Sequence, residues 1–133
     1  TSRGSERIMV VDDEVDITDS LTIGLRRLGY QTTAMNDPHR AIEAFTANPG
    51  AWDVVISDLS MPGMTGDTLF ARLKALRPSL LFILCSGFSD SGSERAARDA
   101  GIDAFLLKPV STEQLGACIR KMFDERPAEA LLH

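Results

Sequence analysis

Five short apolar runs alternate along the chain with five longer segments whose apolar residues recur every three or four positions. The runs have the length of strands and the longer segments the period of amphipathic helices. Their alternation predicts βα units around a parallel sheet. The first strand is expected at about Arg7–Val11. A helix follows over about Glu14–Leu28, with Ile17, Leu21, Leu25 and Leu28 on one face and Gly29 as its stop. The second strand, Gln31–Met35, is polar and β-branched, while the others are near-continuous apolar runs of the kind covered by helices on both faces. It is therefore expected at an edge.

The second helix is expected to start at Asp37-Pro38, an N-cap followed by proline, and to bury Ala41, Ile42 and Phe45. The third strand covers about Asp53–Ser57, and the third helix, about Asp67–Leu76, presents Leu69, Leu73 and Leu76. The fourth strand is Leu80–Cys85. Its helix starts near the capping box Ser91-x-x-Glu94 and stops at Gly101. It offers only Ala96, Ala97 and Ala100 for burial, which at about 25 cal/mol per Å² of apolar area predicts a loosely held helix. The fifth strand is Ala104–Leu107. The fifth helix starts at a second capping box, Ser111-x-x-Gln114, and buries Leu115, Ile119, Met122 and Phe123.

A length of 133 residues suits one domain with a single core, placed at 6–126. Thr1–Ser5 reads as a linker and 127–133 as a tail. The net charge of −5, with no Lys/Arg cluster beyond two adjacent residues, argues against a nucleic-acid surface. No apolar run approaches the length of about 20 residues that a membrane span needs, and no signal sequence is visible. Cys85 and Cys118 lack metal-ligand spacing and sit in apolar stretches, so buried free thiols in a reducing, cytoplasmic setting are expected.

The candidate chemistry lies at the ends of the strands, where open parallel sheets place their sites. The first run ends in Asp12-Asp13, the third reaches Asp58, the fourth ends at Ser86 and the fifth at Lys108-Pro109. Each is ordinary alone. An acidic pair caps helices, a lone aspartate fits a turn, a serine fits a loop and a lysine fits a surface. Together they bring three carboxylates and one ammonium to one rim, a set suited to a divalent metal and a phosphoryl group. Two unit charges about 4 Å apart interact by roughly 4 kcal/mol near a protein surface, so the three acids would repel without a cation.

These residues, with Met61-Pro62 and Gly66 following Asp58, resemble the receiver domain of bacterial two-component signalling over about Glu6 to Arg126. The resemblance implies a flavodoxin-like three-layer α/β/α sandwich with a five-stranded parallel sheet of order 2-1-3-4-5. Asp58 would be the phospho-accepting nucleophile, taking its phosphoryl group from a phosphohistidine on a histidine kinase or histidine phosphotransfer domain. Mg2+ or Mn2+ would be held by Asp13, Asp58 and the backbone carbonyl of Ser60, with Asp12 bound directly or through water. Lys108 and Ser86 would each meet a phosphoryl oxygen, and the bond before Pro109 is a candidate cis peptide.

The resemblance also implies a switch. Ser86 would move toward the phosphorylated Asp58 and Phe105 would turn inward, re-forming the face of the fourth helix, fifth strand and fifth helix for a downstream protein. Phe105 lacks a tyrosine hydroxyl to hold that inward state. Ser60 and Phe88 flank the path of a hydrolytic water and point to a long phosphoryl lifetime. Arg95, Arg98, Arg120 and Lys121 could serve a homodimer or partner face. The segments around Ser86 and Lys108 are similar to receivers of hybrid histidine kinases. Two other functions compete. A pseudo-receiver would bind partners without phosphate. An aspartate-nucleophile phosphatase, a true enzyme, would need a second acid two positions after Asp58, where Ser60 stands.

Overall fold

The five expected strands form one sheet. The computed structural model describes residues 4–87 and 91–125, and of residues 91–93 the backbone only. The strands β1 (Arg7–Val11), β2 (Gln31–Met35), β3 (Val54–Asp58), β4 (Leu81–Ser86) and β5 (Ala104–Leu107) are all parallel, in the order β2-β1-β3-β4-β5. The crossovers carry α1 (Val15–Arg27), α2 (Pro38–Ala47), α3 (Gly66–Leu76), α4 (Ser91–Asp99) and α5 (Thr112–Asp124), and a 3-10 turn at Pro49–Ala51 leads into β3. This is the flavodoxin-like arrangement expected from the sequence, with each boundary within a residue or two.

Side chains alternate across the strands, so β1, β3 and β4 each feed two cores. Ile8, Val10, Ile56 and Ile83 pack with Leu25 of α1 and with Leu115 and Ile119 of α5. Met9, Val11, Val55, Phe82 and Leu84 face the other way, toward Phe45 of α2, Leu69 and Leu73 of α3 and Ala97 of α4. Each large side chain fully buried in this way contributes about 1.5–3 kcal/mol. β2 pairs with β1 alone and buries no residue fully, as an edge strand should.

The helix starts follow their caps. The Asp37 carboxylate accepts from the His39 amide, with Pro38 in the first turn, and Ser111 Oγ accepts from the Gln114 amide. Gly29 follows α1 at φ +98°, a conformation that favours glycine. The Ser91 cap lies outside the described side chains, and the tail at 127–133 lies outside the described residues. At the other end, the Gly4 amide donates to Leu28 O, so packing begins ahead of Glu6.

Three expectations about faces need correction. Leu76 is 42% exposed, because it ends α3 beyond the packed turns, and Phe70 takes the place in the core. Ala96 and Ala100 are exposed, so among the described side chains of α4 only Ala97 is buried. Cys118 is only half-buried, whereas Cys85 is fully buried; both are free thiols. Burial pushes the Cys85 thiol up to about 12, which leaves it neutral and unreactive at ordinary pH.

Candidate phosphoryl and metal site at the strand ends

The sheet register brings the site together. Asp58 is the last residue of β3 and pairs with Cys85, and the Leu59 amide donates to Cys85 O. Ser86 ends β4 opposite Leu107, and its carbonyl accepts from the Lys108 amide at 2.8 Å. Asp12 follows β1 directly. Neighbouring strands lie about 4.8 Å apart, so Asp12 stands one strand from Asp58, while β5 lies two strands from β3 and the long Lys108 side chain crosses that gap.

They do meet. Lys108 Nζ lies 3.1 Å from Asp58 Oδ1 and 3.2 Å from Asp12 Oδ2. Asp12, Asp13 and Asp58 each offer a carboxylate oxygen within 4.8 Å of the others. Asp12 is held at both oxygens, because Oδ1 accepts from the Glu14 amide at 2.9 Å. Asp13 is exposed and the Asp58 side chain is 10% exposed. The Lys108–Pro109 bond is cis. A cleft of about 510 Å³ opens alongside, lined in part by Ile17, Leu21, Ile56 and Val110.

Electrostatics follow from counting charges: three carboxylates cluster, and one ammonium pairs with two of them. Burial raises the pKa of Asp58, and the neighbouring Asp12 charge adds to this against the pull of Lys108 and the Ser60 amide. Burial alone would lower the pKa of Lys108, but its contacts with Asp58 and Asp12 outweigh it and the pKa is raised. The ammonium stays charged while the rim keeps an excess of negative charge. The available donors are carboxylate oxygens without nitrogen or sulfur ligands, a hard set that fits Mg2+.

Gly66 sits eight positions after Asp58 for a steric reason. A Cβ there would lie 2.3 Å from Asp58 O and 2.6 Å from Leu84 Cδ1. The Gly66 amide also donates to Leu59 O at 2.8 Å, closing the loop back on the end of β3.

The remaining candidates are placed as follows. Ser86 is buried beside the cluster, and Ser60 is exposed with its amide directed at the Asp58 carboxylate. Phe105 is inside in this structure, 8% exposed and packed in the cluster with Ala97 and Ile102. Phe88 lies outside the described residues. Arg120 is not a loose surface charge: it pairs with Glu6, donates to Tyr30 Oη and lies over the Tyr30 and Phe123 rings. The sequence reading missed Asn36, whose amide donates to the Asp12 carbonyl; a polar residue before Asp37-Pro38 looks like any other turn residue.

Comparison with known proteins gives the same picture. Residues 8–120 match the response regulator receiver domain. The chain is 31% identical over 126 residues to sensor kinase CckA of Brucella abortus, covering 92% of this chain and 13% of that protein. It is 31% identical over 130 residues to DNA-binding response regulator MtrA of Mycobacterium tuberculosis, covering 95% of this chain and 55% of that protein. It thus spans only part of these curated relatives. A response regulator receiver domain protein from Clostridium thermocellum superposes with a TM-score of 0.86 at 26% identity, covering 96% of this chain and 99% of that one. Among the described residues no helix is long and apolar enough to cross a membrane. From the strand-end cluster and the match over nearly the whole described chain, it follows that this chain belongs to the response regulator receiver domain family.

Proposed function

We propose that the chain is a phospho-accepting module of a two-component phosphorelay, with Asp58 as the acceptor. The observation that carries this reading is the single ammonium of Lys108 within 3.2 Å of both Asp12 and Asp58, with Asp13 in the same cluster. Asp58 Oδ attacks the phosphorus of a partner's phosphohistidine; the P–N bond breaks, a P–O bond forms and the imidazole leaves with its electron pair. Lys108 and Ser86 each hold an equatorial oxygen of the transferred group. Mg2+, held by Asp12, Asp13, Asp58 and the Ser60 carbonyl, would supply the positive charge that offsets the carboxylates and the phosphoryl group. The chain's own catalysis is then limited to gaining and losing this group.

The output surface in this reading is α4, β5 and α5, contacted by a downstream protein or a second copy. Ala97 is the one buried side chain among those described in α4, which supports α4 as the element that moves when Ser86 is drawn toward Asp58. Phe105 then acts as a packed support of that face rather than as a ring that swings in.

The test is incubation with acetyl phosphate and Mg2+, followed by intact mass and site mapping. One phosphoryl group on Asp58, absent when the metal is chelated, is expected. No labelling, under conditions that label an established receiver, overturns the proposal and leaves a binding module that works without phosphate.

A further inference from the structure

We infer that Asn36 is a positioning residue for the metal site, acting through the peptide between Asp12 and Asp13 to place the Asp13 carboxylate. This rests on the reading of Asp13 as a metal ligand.

The two acids of the pair are held in different ways. Asp12 has a partner on each oxygen, the Glu14 amide and the Lys108 ammonium. Among the described residues no hydrogen bond reaches the Asp13 carboxylate. Its position is therefore set by its backbone. That backbone is clamped at the two peptides flanking Asp12: the Asp12 amide donates to Met35 O at 3.1 Å, and Asn36 Nδ2 donates to Asp12 O at 2.9 Å. The Asp12 carbonyl belongs to the same planar unit as the Asp13 amide, so fixing one orients the other.

The chemistry also explains why this residue is an amide. Asn36 Nδ2 makes a second bond, 2.9 Å to Thr18 Oγ1, and that hydroxyl donates onward to Val15 O at 3.0 Å. Thr18 must therefore accept from Asn36, as the Asp12 carbonyl must. Two acceptors need an NH2 group with two hydrogens. An aspartate offers no donor, a serine is too short to serve both, and neither would tie β1, α1 and the end of β2 together at this point. Outer partners of metal ligands commonly alter affinity by about 10–100-fold when removed.

Mg2+ affinity, measured by calorimetry and by amide shifts of residues 12–14, tests this in the wild type, Asn36→Ala, Asn36→Ser and Thr18→Val. Thr18→Val removes the other half of the network, so it controls for loosening of α1. The expected result is Mg2+ binding about tenfold weaker in both Asn36 variants and unchanged in Thr18→Val, although all three unfold at lower temperature. Equal affinity in wild type and Asn36 variants overturns the inference. So does an equal loss in Thr18→Val, which would assign the effect to general loosening. Failure of the wild type itself to bind Mg2+ overturns instead the assignment of the acids as metal ligands, and the inference with it.

Discussion

Two aspartates bracket β3, and they have opposite electrostatic fates. Asp53 stands just before the strand. Its carboxylate accepts from the Arg7 amide at 2.9 Å and from Arg7 Nε and Nη2 at 3.3 and 3.2 Å, with Arg77 Nη2 3.8 Å away. Burial would raise its pKa, but the Arg7 hydrogen bonds and the two guanidinium charges prevail and lower it. Asp58 ends the strand with one ammonium that it must share with Asp12, and there burial prevails and the pKa is raised. Burial pushes both carboxylates upward, and the cations beside each decide whether that push is overcome. Two cations serve one acid at the first end of the strand; one cation pairs with two of three clustered acids at the other. The first is a finished structural joint, while the second has room for further positive charge, as a site that recruits a cation and a phosphoryl group should.

The sharpest way to break this comparison is to neutralise each aspartate in turn. Asp58→Asn should reduce acetyl phosphate labelling to background while leaving metal-free stability unchanged or higher, because a repelling charge is removed. Asp53→Asn should label normally. A loss of labelling in both variants would mean that the two ends of β3 are not functionally separate. Gly66→Ala probes the same contrast by shape. Its methyl would press on Asp58 O and Leu84, and overpacking of this kind costs about 1–3 kcal/mol. Labelling should fall with it, since the displaced carbonyl belongs to the acceptor residue; thermal melts and labelling rates read both effects.

The rim was legible in the sequence because strand ends are. An apolar run that stops at a polar or charged residue marks both a strand and the level at which its chemistry stands, and Asp12, Asp13, Asp58, Ser86 and Lys108 all follow that rule. Asn36, by contrast, follows an edge strand with no apolar run to mark its end, and its role depends on which carbonyl lies across from it. The Asp53 joint was equally hidden. Arg7 and Arg77 are 70 positions apart, and nothing in their local pattern says that the sheet brings them to one carboxylate. Leu76 was misplaced because helical period assigns a face but not the point where the packed layer ends. Phe105, which the resemblance expects to turn inward on phosphorylation, pairs with Leu84 in the sheet and shares its apolar cluster with the small Ala97.

The smallest effect separates the two ends by their response to acid. Asp53→Asn should cost about 1.5–3 kcal/mol near neutral pH, the range for hydrogen bonds to a charged group, read from denaturant unfolding. The folded-state pKa of Asp53 lies below its unfolded value of about 3.9, so the carboxylate binds fewer protons when folded than when unfolded. Its stabilisation is therefore fully present above the unfolded pKa and is lost as pH falls through the folded one. The gap between wild type and Asp53→Asn should be constant down to mildly acidic pH and should then close. Asp58 has the reverse sign: its pKa is raised on folding, so protonation favours the native state and stability falls as pH rises from the unfolded to the folded value. Asp58→Asn should remove that fall. If the two variants instead narrow their gaps to wild type in the same pH window and direction, the cation-to-acid ratio does not govern the two ends of β3.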